Sequence, residues 1–119
     1  EALVGVRSQA GEHVSLDGMS DGTRDQLYLA LRLASMELHA KDHEPMPFVA
    51  DDILINFDDA RATAAIRALA ELATHTQVLL FTHHKHLVEL AKGNLQPGQL
   101  TISEIVCQAG APRTVSDGR

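Results

Sequence analysis

Two short apolar runs, each ending in a cluster of polar side chains, constrain this sequence more than anything else in it. The first is Phe48-Val49-Ala50, which meets Asp51-Asp52. The second is Gln77-Val78-Leu79-Leu80-Phe81-Thr82, which meets His83-His84-Lys85-His86. Runs this short read as buried strands rather than helices. Between them, residues 60–74 place Ala62, Ala65, Ile66, Leu69, Leu72 and Ala73 on one helical face, and Asp58-Asp59 supply good helix-start residues. Strand, helix and strand in this order predict two parallel strands joined by a helical crossover. In such open α/β sheets, ligands collect at the carboxyl ends of the strands, where both polar clusters fall.

The rest of the chain is arranged around that unit. Residues 2–7 and 12–16 are β-like runs with a turn at Gln9-Ala10-Gly11, so a hairpin is expected. A polar loop from 17 to 23 leads to a long helical pattern over about 24–41. There Leu27, Leu31, Ala34 and Leu38 form one stripe, widened by Ala30 and Leu33, which predicts deep burial. A loop with Pro45 and Pro47 precedes the first strand of the central unit. A short helix is expected over 87–92, a turn over 93–98, a last strand over 100–107 and a frayed tail over about 108–119.

Composition excludes several classes. The chain has 119 residues, room for one domain, and its 10 basic against 16 acidic residues give a net charge of −6. A whole-domain basic footprint for nucleic acid is therefore absent. No apolar run approaches the roughly 20 residues of a membrane span, and the first residues lack the basic region and apolar core of a signal peptide. The single cysteine, Cys107, excludes an internal disulfide framework and a cysteine-based zinc site, and reads as a small apolar strand residue. A reducing, cytoplasmic location with no membrane partner is the expectation.

Three polar clusters could carry chemistry. Asp51 and Asp52 are adjacent carboxylates at a strand end, which repel unless a cation or a proton lies between them. Hard oxygen ligands of this kind suit Mg²⁺, with Asp51 on the metal and Asp52 orienting or deprotonating a water. The plainer alternative is two exposed loop acids. Met19-Ser20-Asp21-Gly22-Thr23-Arg24-Asp25-Gln26 places a glycine and a hydroxyl before a helix, an anion-binding arrangement; Thr23 to Gln26 also fits a capping box by itself. His83 at the second strand end could bond a phosphate or a water, or simply lie exposed with its neighbours; a metal site at His83 and His86 lacks accompanying ligands.

These clusters, in this order, resemble the C-terminal lobe of an ABC-type ATPase head. Met19 to Gln26 is similar to the signature motif L-S-x-G-x-x-x-Q, with Met19 in place of the usual Leu. Phe48-Val49-Ala50-Asp51-Asp52 resembles Walker B with its catalytic acid, Ile55-Asn56-Phe57-Asp58 the D-loop, and Val78 to His83 the strand carrying the switch histidine. The resemblance spans about residues 19–91 and is nearest the chromosome-associated branch, with structural-maintenance-of-chromosomes proteins, RecF and YhaN-like coiled-coil ATPases. Ile53 stands where transporter cassettes usually have Pro, which argues against a transporter.

The resemblance implies an α/β fold, a partial P-loop NTPase lobe with a mostly parallel sheet, that binds ATP and Mg²⁺. It implies that Asp51 holds Mg²⁺, that Asp52 and His83 are catalytic, that Ser20, Gly22 and Gln26 serve ATP held on an opposing head, and that Asp58 crosses the dimer interface. Asp52 stands where most of the family has Glu, one carbon longer. No G-x-x-x-x-G-K-[ST] occurs in the chain. Together with the initial Glu1, this leads to the expectation of a C-terminal piece of a longer ATPase, whose N-terminal lobe carries Walker A and whose lobes are joined by a coiled coil. The parent would hydrolyse ATP between two heads in DNA repair or chromosome maintenance, while the piece alone would be inactive and bind ATP weakly. Two rivals are a non-catalytic dimerisation or partner-binding lobe, and a receiver-like domain using Asp51-Asp52 as its acidic pair. The strand order does not cleanly supply the phosphoacceptor Asp and switch Lys that a receiver needs.

Overall fold

The parallel unit is present. In the computed structural model, which describes residues 4–6, 11–108 and 111–117, β3 (Phe48–Asp51) and β4 (Val78–Phe81) pair in parallel, with Phe48 opposite Val78 and Asp51 opposite Phe81. The crossover is α2 (Asp59–Leu72). It buries Ala62, Ala65, Ile66, Leu69 and Leu72 as the 3.6-residue period demands, whereas Ala73, expected on that face, caps the helix and is exposed. The strand pair is anchored at its entry by the Phe48 amide donating to the Gln77 carbonyl at 2.8 Å and by the Thr76 hydroxyl donating to the Met46 carbonyl.

The core holds Leu29, Phe48, Ala50, Leu54, the buried face of α2, and Leu87 from α3 (Lys85–Asn94). Phe48 and Leu54 are the most deeply buried large side chains. The Arg32 guanidinium lies 4.9 Å from the centre of the Phe48 ring and closes one side of it. Strand alternation turns Phe48, Ala50, Val78 and Leu80 toward this core. Val49, Leu79 and Phe81 lie on the opposite face and are exposed.

The other pairings are antiparallel. β1 (Val4–Val6) pairs with β2 (His13–Ser15), as the hairpin reading expects, although Gln9 and Ala10 of its turn lie outside the described residues. β5 (Ile102–Gln108) pairs with β6 (Ala111–Asp117). The tail expected to fray is thus a strand over most of its length. The described sheets comprise one parallel pair and two hairpins, so the parallel character is confined to β3 and β4.

The long helix α1 (Asp21–Asp42) differs from expectation at its start and in its burial. Ser20, rather than Thr23, is its N-cap. The Ser20 hydroxyl oxygen accepts from the Thr23 amide at 3.3 Å, which moves Gly22 inside the first turn. The side turned to the core runs through Gly22, Leu29, Leu33 and Met36. Tyr28, Leu31 and Leu38 remain exposed. The expected stripe through Leu27, Leu31, Ala34 and Leu38 is therefore not the buried one. A helix apolar on most sides gives no periodic signal strong enough to choose its contact face. Among the described residues, no helix is long and apolar enough to cross a membrane.

Candidate functional site

Asp51 and Asp52 part company at the end of β3. Asp51 continues the strand and is exposed, on the same sheet face as Val49. The Asp52 amide still donates to the Phe81 carbonyl at 2.9 Å, but its φ of 49° turns the chain out of the strand. Asp tolerates this left-handed conformation better than most residues with a Cβ. The turn aims the Asp52 carboxylate across to the residues that follow β4, where Oδ2 accepts from His83 Nδ1 at 2.6 Å. Asp52 thus faces a histidine, while Asp51 stays on the strand.

The electrostatics of Asp52 follow from that partner. Partial burial works against its charge, but polar contact from the Thr82 hydroxyl and the attraction and hydrogen bonding of His83 outweigh it. The carboxyl is held below the usual carboxylate range. Its side chain is 27% exposed, against 72% for His83, so the pair sits at the rim of the structure. Asp52 Oδ1 is shielded and, among the described residues, has no hydrogen-bond partner, and neither has His84 Nε2. The His84 ring packs on that of His83, centroids 4.0 Å apart, and its amide donates to the Thr82 hydroxyl oxygen at 3.1 Å.

After Asp52 the chain makes a tight loop, with the Ile55 amide bonded to the Asp52 carbonyl and the Phe57 amide to the Leu54 carbonyl. Leu54 fixes this loop in the core. The Asn56 amide group donates to Asp25 Oδ2 at 2.8 Å, tying the loop to the first turns of α1. Gly22 lies against the same residue: a Cβ there would come within 2.5 Å of the Asn56 carbonyl oxygen. Asp58 then caps α2, its Oδ1 accepting from the Arg61 amide at 2.8 Å.

The structure therefore brings Asp52 and His83 into contact, and joins the segment around Gly22 to the loop at Asn56. Among the described residues, no hydrogen bond or ion pair links Ser20 or Gln26 to Asp52 or His83, and Gln26 is exposed. The bond between Asp25 and Asn56 and the packing of His84 were not foreseen. Asn56 lies within the D-loop resemblance and Asp25 within the signature resemblance, and only tertiary contact couples them. His86, noticed earlier as a possible ligand, instead bonds Asp59 at 2.7 Å and links α3 to α2.

No protein-family profile matches the chain. It is 34% identical over 83 residues to the uncharacterized protein YhaN of Bacillus subtilis, which covers 69% of this chain and 8% of YhaN. It is 30% identical over 84 residues to the DNA repair protein RecN of Helicobacter pylori, which covers 71% of this chain and 16% of RecN. The chain thus spans only a small part of the curated relatives it matches. A solved structure from work on ATP-driven dimerization and DNA-stimulated activation of SMC ATPases superposes with a TM-score of 0.68. That match covers 90% of this chain and 59% of the other at 19% identity, a likeness of fold. Fold and sequence together define the class as the C-terminal lobe of an ABC-type ATPase head. Within that class the chain is YhaN- and RecN-like.

Proposed function

We propose that this lobe supplies the acid, the switch histidine and the signature segment of an ATPase head that hydrolyses ATP between two copies of itself. The observation that carries the reading is the Asp52–His83 pair, a charged carboxylate bonded to an imidazole at 2.6 Å at the carboxyl ends of parallel strands.

The donor set fits the groups this function requires. Asp51 is an exposed carboxylate at the strand end and would hold Mg²⁺, a hard ion that favours one or two carboxylates with phosphate oxygens. Bound there, the ion would neutralise charge on the transferring phosphoryl group. Asp52, kept ionised by its neighbours, is the carboxylate that would accept a water proton. His83 holds the Asp52 carboxylate on one side and offers its other ring nitrogen to a phosphate oxygen. Ser20 and Gly22 stand at the N-terminus of α1, where free amides and the helix dipole favour an anion. With Gln26 and Asp58 they would serve the nucleotide of the opposing head. The P-loop Lys would come from an N-terminal lobe, and the exposed apolar face of Val49, Leu79 and Phe81 is a surface such a lobe could cover.

Likeness to RecN and to a DNA-stimulated SMC ATPase supports a role for the whole protein in DNA repair or chromosome maintenance. A second reading, a lobe that only dimerises, draws on the exposed Tyr28, Leu31 and Leu38 of α1. Asp52→Asn in the full-length protein separates the two. ATP binding retained with turnover lost supports hydrolysis, and unchanged turnover removes Asp52 from the chemistry.

A further inference from the structure

Asp52, just after β3, and His83 and His84, just after β4, come together at the strand ends. Asp52, His83 and His84 each offer one ligand atom, and the three atoms lie within 4.8 Å of one another. Two of these residues also carry a shielded polar atom with no hydrogen-bond partner among the described residues, Asp52 Oδ1 and His84 Nε2. Orphaned atoms of this kind are uncommon and call for a partner. One carboxylate and two imidazoles suit a borderline divalent ion better than Mg²⁺, which favours oxygen throughout.

We propose that Asp52, His83 and His84 form a binding site for a borderline transition-metal dication of the Zn²⁺ or Co²⁺ class, with one position left open. Three protein ligands and a water are the usual set for zinc in an open site. Metal–ligand bonds of about 2.0–2.2 Å put tetrahedral ligand atoms roughly 3.3–3.6 Å apart. A spread of up to 4.8 Å must therefore close by at most somewhat over 1 Å, while the Asp52–His83 separation of 2.6 Å must open by somewhat under 1 Å. The 72% exposed His83 side chain is free to make its own part of that adjustment by rotating about its bonds. The left-handed turn at Asp52 and the short Thr82–His84 turn hold the backbone of the other two ligands.

The site stands on this geometry and does not need the ATPase reading. If that reading holds, a consequence follows: an occupied site ties up the carboxylate and the imidazole that hydrolysis requires, so such an ion inhibits turnover while Mg²⁺ supports it.

Seven histidines make a second binding place the main competitor. The strongest is the pair His39 and His43, four residues apart at the end of α1 with rings stacked 4.4 Å apart. The test is Co²⁺ titration of the 119-residue chain, read by the intense visible bands that Co²⁺ shows at low coordination number. Parallel titrations use His84→Asn, Asp52→Asn and His39→Ala, with circular dichroism to confirm that each variant is folded. The expected result is a one-equivalent band, displaced by Zn²⁺ and unchanged in His39→Ala. Affinity should fall by at least about tenfold in His84→Asn and in Asp52→Asn. No band in the wild type, a band that survives His84→Asn, or one lost in His39→Ala overturns the proposal. Should a variant be unfolded, wild-type NMR decides: Co²⁺ must broaden the His83 and His84 ring signals before those of His39 and His43, and the reverse order overturns the site. These readouts involve no ATP, so their failure leaves the hydrolytic reading untouched, and lost turnover in Asp52→Asn leaves the metal site untouched.

Discussion

Gly22 offers the sharpest physical test of how this lobe is built. In an open helix, replacing Gly by Ala stabilises by about 0.5–1 kcal/mol, because Ala loses less backbone entropy on folding. At position 22 the added Cβ would sit 2.5 Å from the Asn56 carbonyl oxygen and 3.2 Å from an Arg61 guanidinium nitrogen. The carbonyl belongs to a loop pinned by buried Leu54 and by the Asn56–Asp25 bond, so it cannot retreat without cost. Overpacking of this sort costs about 1–3 kcal/mol, and a strained Asn56–Asp25 bond about 0.5–1.5 more. These outweigh the helical gain, which is smaller in the first turn than in a helix interior. Gly22→Ala should therefore destabilise the chain by about 1–4 kcal/mol. Gly93, inside α3, has nothing within 4 Å of a Cβ and serves as the matched control. Gly93→Ala should stabilise by up to about 1 kcal/mol. Urea unfolding of both variants with the wild type makes the comparison. A Gly22→Ala protein at least as stable as the wild type refutes the close approach of α1 to the Asn56 loop. The glycine at this point of the signature resemblance is thus demanded by packing, whether or not a phosphate lies against it.

Two further outcomes are expected. Because the folded Asp52 carboxyl is held below its usual range, its contribution to stability is complete above the ordinary carboxylate pKa near 4. The contribution disappears as pH falls through the lowered value. Asp52→Asn should flatten this acid limb of stability against pH, and an unchanged limb excludes the His83–Asp52 pair as its source. Removing the cap of α2 with Asp58→Ala should cost about 1 kcal/mol in urea unfolding, and Asp58→Ser should recover most of it. Equal stability of all three proteins would show that the Asp58–Arg61 amide bond contributes nothing.

What the sequence made legible was governed by local chemistry. The β3–α2–β4 unit could be read because its apolar runs are short and its helix has a single clear apolar face, whose residues 62, 65, 66, 69 and 72 are those buried. α1 could be placed but not oriented, since apolar residues lie on several of its sides and packing against the core chose among them. The helix start at Ser20 was misread because Thr23-x-x-Gln26 satisfies the capping pattern equally well, and only the folded backbone distinguishes them. At the site, Asp52 and His83 were each identifiable as strand-end polar residues. Their contact depends on the 49° φ of Asp52, which periodicity does not encode. That turn also suits Asp, a short acid at ease in the left-handed region that from there reaches His83.

The central claim is that one lobe serves two nucleotides, with Asp52 and His83 acting on one and Ser20 and Gly22 on the other. Mixing two inactive full-length variants, Ser20→Arg and Asp52→Asn, tests it directly. Each homodimer spoils both of its sites. A mixed dimer keeps one site in which the intact acid meets the intact signature segment. Random pairing in a two-fold dimer predicts recovery of about a quarter of wild-type ATP turnover on mixing. Turnover that stays at the level of the separate variants contradicts the shared-site account.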